Sequence, residues 1–277
     1  MTQIYLHADD FGDTLHISEQ IYECFAHGAL NSTSIIVNTP ALEKSLALIE
    51  GKAIRRVLHL NIVEGRALSH RNFRYLTDNT GRFFRSWQRL VFDYYCLSTS
   101  RKKALIREEI KEEYREQILL YREKVQADSL AIDSHQHTHL IPFISEILIE
   151  LIDEMELDIS NIRVTREPFF WAIASLNDLK NYFGINLFVH FLLNHLSDKL
   201  IEKLDRAALP HNDAFIGVLF SGDMTLKAVE KGLEAVKGAD TVEVLLHPGD
   251  LSDEEKRDFR NDQFKRFYVS KNRKKER

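Results

Sequence analysis

Short apolar runs alternate with longer amphipathic stretches along almost the whole chain, and this alternation constrains the fold most. Strand-like runs fall at Ile4–His7, Ser34–Asn38, Arg56–Leu60, Leu130–Ser134, Asn161–Thr165, Ala214–Phe220 and Thr241–Leu246. Between several of them, apolar residues recur at helical spacing, as in Ile17, Ile21, Cys24 and Phe25, or Leu226, Val229, Leu233 and Val236. Leu42–Ile49 and Ser145–Leu157 repeat that spacing. Strands that alternate with helices must be joined by crossovers, so they lie parallel in one sheet. Seven such units predict a closed or nearly closed (β/α) barrel, smaller than the eight-unit form. A chain of 277 residues suits a single domain of this kind, spanning 1–277.

Two stretches break the alternation. Residues 66–128 contain the aromatic series Phe83, Phe84, Trp87, Phe92, Tyr94 and Tyr95, then a charged helix over Lys102–Lys124 with Ile106, Ile110, Tyr114, Ile118 and Tyr121 on one face. Residues 166–212 contain the apolar run Phe188–Leu193. Both read as insertions that shape a pocket or form a homodimer face, with plain helical packing as the alternative. The charge run 271–277 reads as a frayed, solvated, basic end.

Composition narrows the function classes. A formal net charge of −5 gives no general attraction to nucleic acid or to anionic lipid. No segment reaches the roughly 18 continuous apolar residues of a membrane span. The first residues have no basic stretch followed by a long apolar one, and the only cysteines are the scattered Cys24 and Cys96. Together these features predict a cytoplasmic protein without disulfides.

Four polar clusters sit where strands should end: His7-Ala8-Asp9-Asp10-Phe11-Gly12, His59-Leu60-Asn61, Asp133 to His139, and His247-Pro248-Gly249. In a (β/α) barrel all strand C-termini open on one mouth, so these clusters converge in space. Each has an ordinary explanation when taken alone. The Asp pair could cap the following helix, His59 could be a core residue, and His247 could mark a turn. His135, His137 and His139 alternate, and an extended segment would put them on one face with Asp133. Imidazole and carboxylate together suit a divalent metal ion.

These same pieces resemble the YdjC-like carbohydrate deacetylases, a group that includes chitooligosaccharide deacetylases. The matching segments are Ala8-Asp9-Asp10-Phe11-Gly12, Ser32-Thr33-Ser34 with Val37-Asn38, Leu58-His59-Leu60 with Glu64-Gly65-Arg66-Ala67-Leu68, Ile132 to His139, Pro142, Arg163 and His247-Pro248. The resemblance implies a deformed, seven-stranded (β/α) barrel, like that of polysaccharide deacetylases, and hydrolysis of an N-acetylated sugar with the help of one divalent ion, zinc or magnesium. The ion would be held by Asp10, His59 and His135, with Asp9 as base and His247 as general acid. His137, His139, Asn38, Arg163 and Trp87 fall to substrate contact or to orienting the ligands. The chain departs from the family pattern at His7, where Asn is usual, at Leu58, where Gly is usual, and after Arg163, where the Pro-x-Glu spacing is missing although Glu167 and Pro168 are near. Another amide or ester as substrate, or a barrel that binds sugar without chemistry, are the alternatives.

Overall fold

The computed structural model describes residues 2–69, 71, 73–173, 179–258 and 276. Its strands are β1 (Gln3–Phe11), β2 (Ser32–Ile35), β3 (Arg55–Leu60), β4 (Leu130–Ser134), β5 (Ile159–Ile162), β6 (Ala214–Ile216) and β7 (Thr241–Leu246). They form one seven-stranded sheet in the order β5-β4-β3-β2-β1-β7-β6. All its pairings are parallel. The expected deformed barrel is borne out. The sheet's two edge strands, β5 and β6, are stitched irregularly: Ile162 N donates to Pro210 O at 2.8 Å and Phe215 N to Arg166 O at 3.0 Å. The Asn212 side chain accepts from Val164 N at 2.8 Å and donates to its carbonyl at 2.9 Å. The first and last strands, β1 and β7, pair as neighbours within the sheet, whose two edges are β5 and β6.

The helices are α1 (Leu15–Ala26), α2 (Leu42–Leu48), α3 (Trp87–Cys96), α4 (Ser100–Val125), α5 (Pro142–Glu154), α6 (Lys180–Phe183), α7 (Ile185–Arg206), α8 (Leu226–Ala235) and α9 (Glu255–Asp258). Thr14 caps α1 by accepting from Ile17 N at 3.2 Å, so the Asp pair is not the cap. Ile17, Ile21 and Cys24 of α1, and Ile106, Ile110, Tyr114, Ile118 and Tyr121 of α4, are buried as their spacing requires. None of the helices described is long and apolar enough to cross a membrane.

The first insertion is gripped from α4. Gln117 accepts from Asn61 N at 2.9 Å, Glu113 accepts from Leu68 N and Ser69 N, and Glu109 accepts from Arg74, Tyr75 and Leu76 N. These side chains satisfy backbone donors of a loop that has no sheet to pair with. In the second insertion, α7 turns Leu193, Leu200 and Leu204 inward and leaves Ile185, Phe188 and Phe191 59–71% exposed. The tail 271–277 lies outside the described residues except at Glu276. That residue is buried, and its carboxylate accepts from Met224 N at 3.2 Å and His247 N at 2.6 Å.

Candidate metal centre

The site begins with a defect in β1. The pairing to β2 runs His7 with Ser32 and Ala8 with Thr33, then slips, so that Phe11 meets Ile35. Asp9 and Asp10 occupy the slip, and Asp10 has φ 72°. In a regular strand neighbouring side chains point to opposite faces. The bulge and the left-handed Asp10 let both carboxylates serve the same mouth, at a backbone cost of order 1–3 kcal/mol. Gly12 follows with φ 91°, and a Cβ there would lie 2.6 Å from Ile36 O, so only glycine fits.

Asp10 meets two histidines from two other strand ends. Its Oδ1 lies 3.8 Å from His59 Nε2 and 3.1 Å from His135 Nδ1. The three residues offer donor atoms all within 4.8 Å of one another, and all three side chains are buried. Their rings and carboxylate suit a borderline divalent ion. His59 Nε2 has no hydrogen-bond partner among the described residues, which a bound ion would supply. His59 sits opposite Asp133 in the β3–β4 register, and Asp133 Oδ1 holds its Nδ1 at 2.6 Å. That carboxylate–imidazole contact fixes the tautomer with Nε2 free to coordinate. The residues present therefore fit the ion that the sequence implies.

Asp9 faces a different partner. Arg163, 1% exposed, donates Nη1 to Asp9 Oδ2 at 3.0 Å and Nη2 to Asp9 Oδ1 at 2.8 Å. The same guanidinium pairs with Asp133 Oδ2 at 2.5 Å and Glu243 Oε1 at 2.6 Å. Ser34 Oγ donates to Asp9 Oδ1 at 2.8 Å, and His7 Nε2 lies 3.2 Å from that oxygen. Ser34 spends its one hydrogen on Asp9, so its 3.0 Å bond with His7 Nε2 must be received from the imidazole. Burial alone would raise the Asp9 carboxyl; the Arg163 cation, with His59 and His7 behind it, overrides this and holds it well below the usual range. Burial and Arg163 act on Asp133 in the same opposed way, with the same net lowering. His7, Asp9 and Asp133 form a second cluster of ligand type, but Arg163 already supplies its cation.

The His135–His139 segment is not extended, contrary to the alternation argument. β4 ends at Ser134, and a tight 3₁₀-type turn follows over His135–Leu140, with Gln136 and His137 left-handed at φ 56° and 54°. The three histidines therefore separate. His135 joins Asp10; burial would lower its pKa, but the Asp10 and Glu64 carboxylates raise it well above the ordinary value. His139 is fully buried behind the site, bonded to Ser134 Oγ at 2.6 Å and to the Arg163 carbonyl at 2.8 Å, and burial pushes it down to about 4. Partly buried His137 packs edge-on to Phe215, with ring centres 6.1 Å apart; burial and the nearby Arg163 push it down to about 3.

His247 follows β7 directly, and Leu246 pairs with Ala8, which sets His247 alongside the Asp pair at the mouth. Asn38 donates to Arg66 O at 3.0 Å and accepts from Asn61 Nδ2 at 3.1 Å, tying the end of β2 to the loop after β3. Trp87, at the start of α3, is half-buried against the main core. Glu167 turns inward: its carboxylate takes the N–H groups of Gly217, Val218 and Leu219 and holds His190 Nδ1 at 2.8 Å, which ends β6 early and anchors α7.

Sequence reasoning gave no role to Glu243, Glu64 or Glu276, and grouped Asp133 with the three histidines rather than with His59 and Arg163. Glu243 and the true partner of Asp133 left a signal. Glu243 lies inside Thr-Val-Glu-Val-Leu-Leu and Asp133 inside Leu-Ala-Ile-Asp-Ser, and an acid in a buried strand requires a partner. Arg163, itself in an apolar segment, is that partner for both.

Known proteins share this frame. A carbohydrate deacetylase of Vibrio cholerae serotype O1 is 27% identical over 259 residues, 91% of this chain and 94% of its own. One from Clostridium beijerinckii is 27% identical over 210 residues, 73% of this chain and 79% of its own. One from Mus musculus is 26% identical over 254 residues, 87% and 76% of the two chains. Among solved structures, a candidate cellobiose-phosphate cleavage protein of Enterococcus faecalis V583 superposes with a TM-score of 0.66 at 16% identity, covering 94% of this chain and 85% of that one, a likeness of fold. The model of the family described as YdjC-like protein matches residues 3–277, and the chain belongs to that family.

Proposed function

We propose that this chain is a carbohydrate deacetylase that hydrolyses the acetamide of an N-acetylated sugar or oligosaccharide at a divalent ion, zinc or magnesium, held by Asp10, His59 and His135. The observation that carries the reading is the convergence of these three buried donors on the unpartnered His59 Nε2, beside an Asp9 carboxylate on separate support. The names of the deacetylase relatives support the substrate class. When bound, the ion would polarise the acetyl carbonyl and acidify the attacking water.

The chain's own groups do the rest. Asp9 takes the water proton. Its Oδ1 is already crowded by Arg163, Ser34 and His7, whereas Oδ2 receives only Arg163 Nη1 among the described residues, so Oδ2 is the basic atom. Arg163 also fixes the direction of that carboxylate, which a general base needs before its basicity matters. His247 gives a proton to the departing amine. His137, neutral at physiological pH, meets sugar hydroxyls from the rim, and Trp87 contributes an aromatic face. His139, Asn38 and Arg163 orient the groups that touch substrate and ion.

We read the enzyme as one catalytic domain acting in the cytoplasm as a homodimer, with no nucleic-acid or membrane partner. Phe183, Phe188 and Phe191, 59–81% exposed, are the candidate dimer face. The test of the chemistry is Asp9→Asn. It should keep its ion and lose turnover by about two to four orders of magnitude. Loss of the ion instead would reverse the roles of Asp9 and Asp10. Turnover of acetyl esters without any turnover of N-acetylated sugars would replace the substrate class.

A further inference from the structure

The two histidines of the centre approach Asp10 through different nitrogens. His59 presents Nε2 and gives Nδ1 to Asp133. His135 presents Nδ1, 3.1 Å from Asp10 Oδ1, and turns Nε2 towards Glu64 Oε2 at 3.8 Å. A neutral imidazole that coordinates through one nitrogen carries its hydrogen on the other, and that hydrogen needs an acceptor to fix tautomer and ring orientation. Asp133 is the acceptor for His59. Glu64 stands in the corresponding place for His135.

Glu64 is held there by its own loop. Its N–H donates to Asn61 Oδ1 at 3.1 Å and its carbonyl accepts from Asn61 Nδ2 at 3.0 Å. Asn61 is in turn clamped by Gln117 on α4, through 2.9 Å and 2.6 Å bonds to its backbone N–H and carbonyl. The left-handed Gly65, φ 73°, turns the chain away immediately afterwards. With the backbone held by these bonds, the Glu64 side chain is 11% exposed and sets Oε2 3.8 Å from His135 Nε2.

We propose that Glu64 is the positioning residue for His135: it accepts the Nε2 hydrogen and so leaves Nδ1 for the ion. The proposal rests on the metal reading above. It makes the two imidazoles coordinate as opposite tautomers, His59 through Nε2 and His135 through Nδ1, each backed by its own acid.

The test is Zn²⁺ affinity, measured on the whole chain by competition with a chromophoric chelator. Four proteins are compared: the parent, Glu64→Gln, Glu64→Met and His135→Ala. Glutamine keeps an acceptor oxygen at the same reach; methionine keeps the length and removes it. Glu64→Met should bind Zn²⁺ about 10–100-fold more weakly than the parent, and Glu64→Gln should stay within about threefold of it. His135→Ala should lose at least as much as Glu64→Met. Equal affinity of Glu64→Met and the parent, with His135→Ala impaired, would overturn the role of Glu64 and leave the metal centre standing. Glu64→Gln as weak as Glu64→Met would also overturn it, because an acceptor alone would then not suffice. Parent-like affinity in all three variants would refute the metal centre itself.

Discussion

Replacing Arg163 with methionine removes the one cation that three buried carboxylates share. In the parent, the guanidinium lies 2.5–3.0 Å from oxygens of Asp9, Asp133 and Glu243, and it is 1% exposed. Removing one partner of a buried pair costs about 3–5 kcal/mol, because the remaining charge stays desolvated. Here three carboxylates lose it at once and repel one another, with Arg55 at 3.8 Å left to Glu243, so about 5 kcal/mol at pH 8 is the expectation. The loss should depend on pH with a definite sign. In the parent, the Asp9 and Asp133 carboxyls are held below their unfolded values. Their contribution is present above about pH 4 and lost as pH falls through the folded values. In the variant the same acids are raised, so its folded state gains protons and stability as pH falls. The deficit should therefore be widest at pH 8 and narrowest near pH 5. Urea unfolding followed by circular dichroism at both pH values measures it, with a midpoint drop at pH 8 of more than about 1 M. An equal deficit at pH 5 and pH 8 would mean lost packing rather than stranded charge and would refute the network.

The other predictions concern single groups. His247→Ala should lower turnover of an acetylated amine with its ion retained, and lower turnover of an activated aryl acetate much less, since that leaving group needs no proton; equal losses would move suspicion to His137 or His139. Burial pushes the Glu113 carboxyl up to about 7 from its ordinary 4.5, against the pull of Gln117 and the Leu68 and Ser69 N–H groups. Its folded value is raised, so it should contribute a fall in stability as pH rises from about 4.5 to about 7, of order 1–3 kcal/mol. Glu113→Gln should remove that slope from urea midpoints taken across the range; an unchanged slope would place its cause elsewhere.

The fold was legible because β2, β4, β6 and most of β7 are buried on both faces and so appear as short apolar runs. β4 and β7 have the bounds expected from the apolar pattern of the sequence. The convergence of Asp10, His59 and His135 was legible for a related reason: polar residues at the ends of such runs have little packing role, and parallel strands bring their ends together; the choice of these three came from the family resemblance. The rest depends on departures from regular geometry. A period of two places Asp9 and Asp10 on opposite faces, and no sequence rule reveals the bulge and the left-handed Asp10 that reunite them. The same period wrongly put His135, His137 and His139 on one face, because the turn after Ser134 is left-handed at two positions. Glu64 and Glu276 reach the site from loop and tail, where spacing carries no information about direction. His7 and its Ser32 and Ser34 partners could be placed only once the β1–β2 register was known.

Acetate release from N-acetylated mono- and oligosaccharides, measured alongside the free amine, tests the proposed activity most directly. Protein loaded with one divalent ion per chain should liberate acetate and amine in equal amounts. Chelation should stop the release and added Zn²⁺ or Mg²⁺ should restore it, whereas His59→Ala should remain inactive with either ion present. Acetate release that persists after the ion is stripped, or no release from any N-acetylated sugar by fully loaded protein, would contradict a metal-dependent carbohydrate deacetylase.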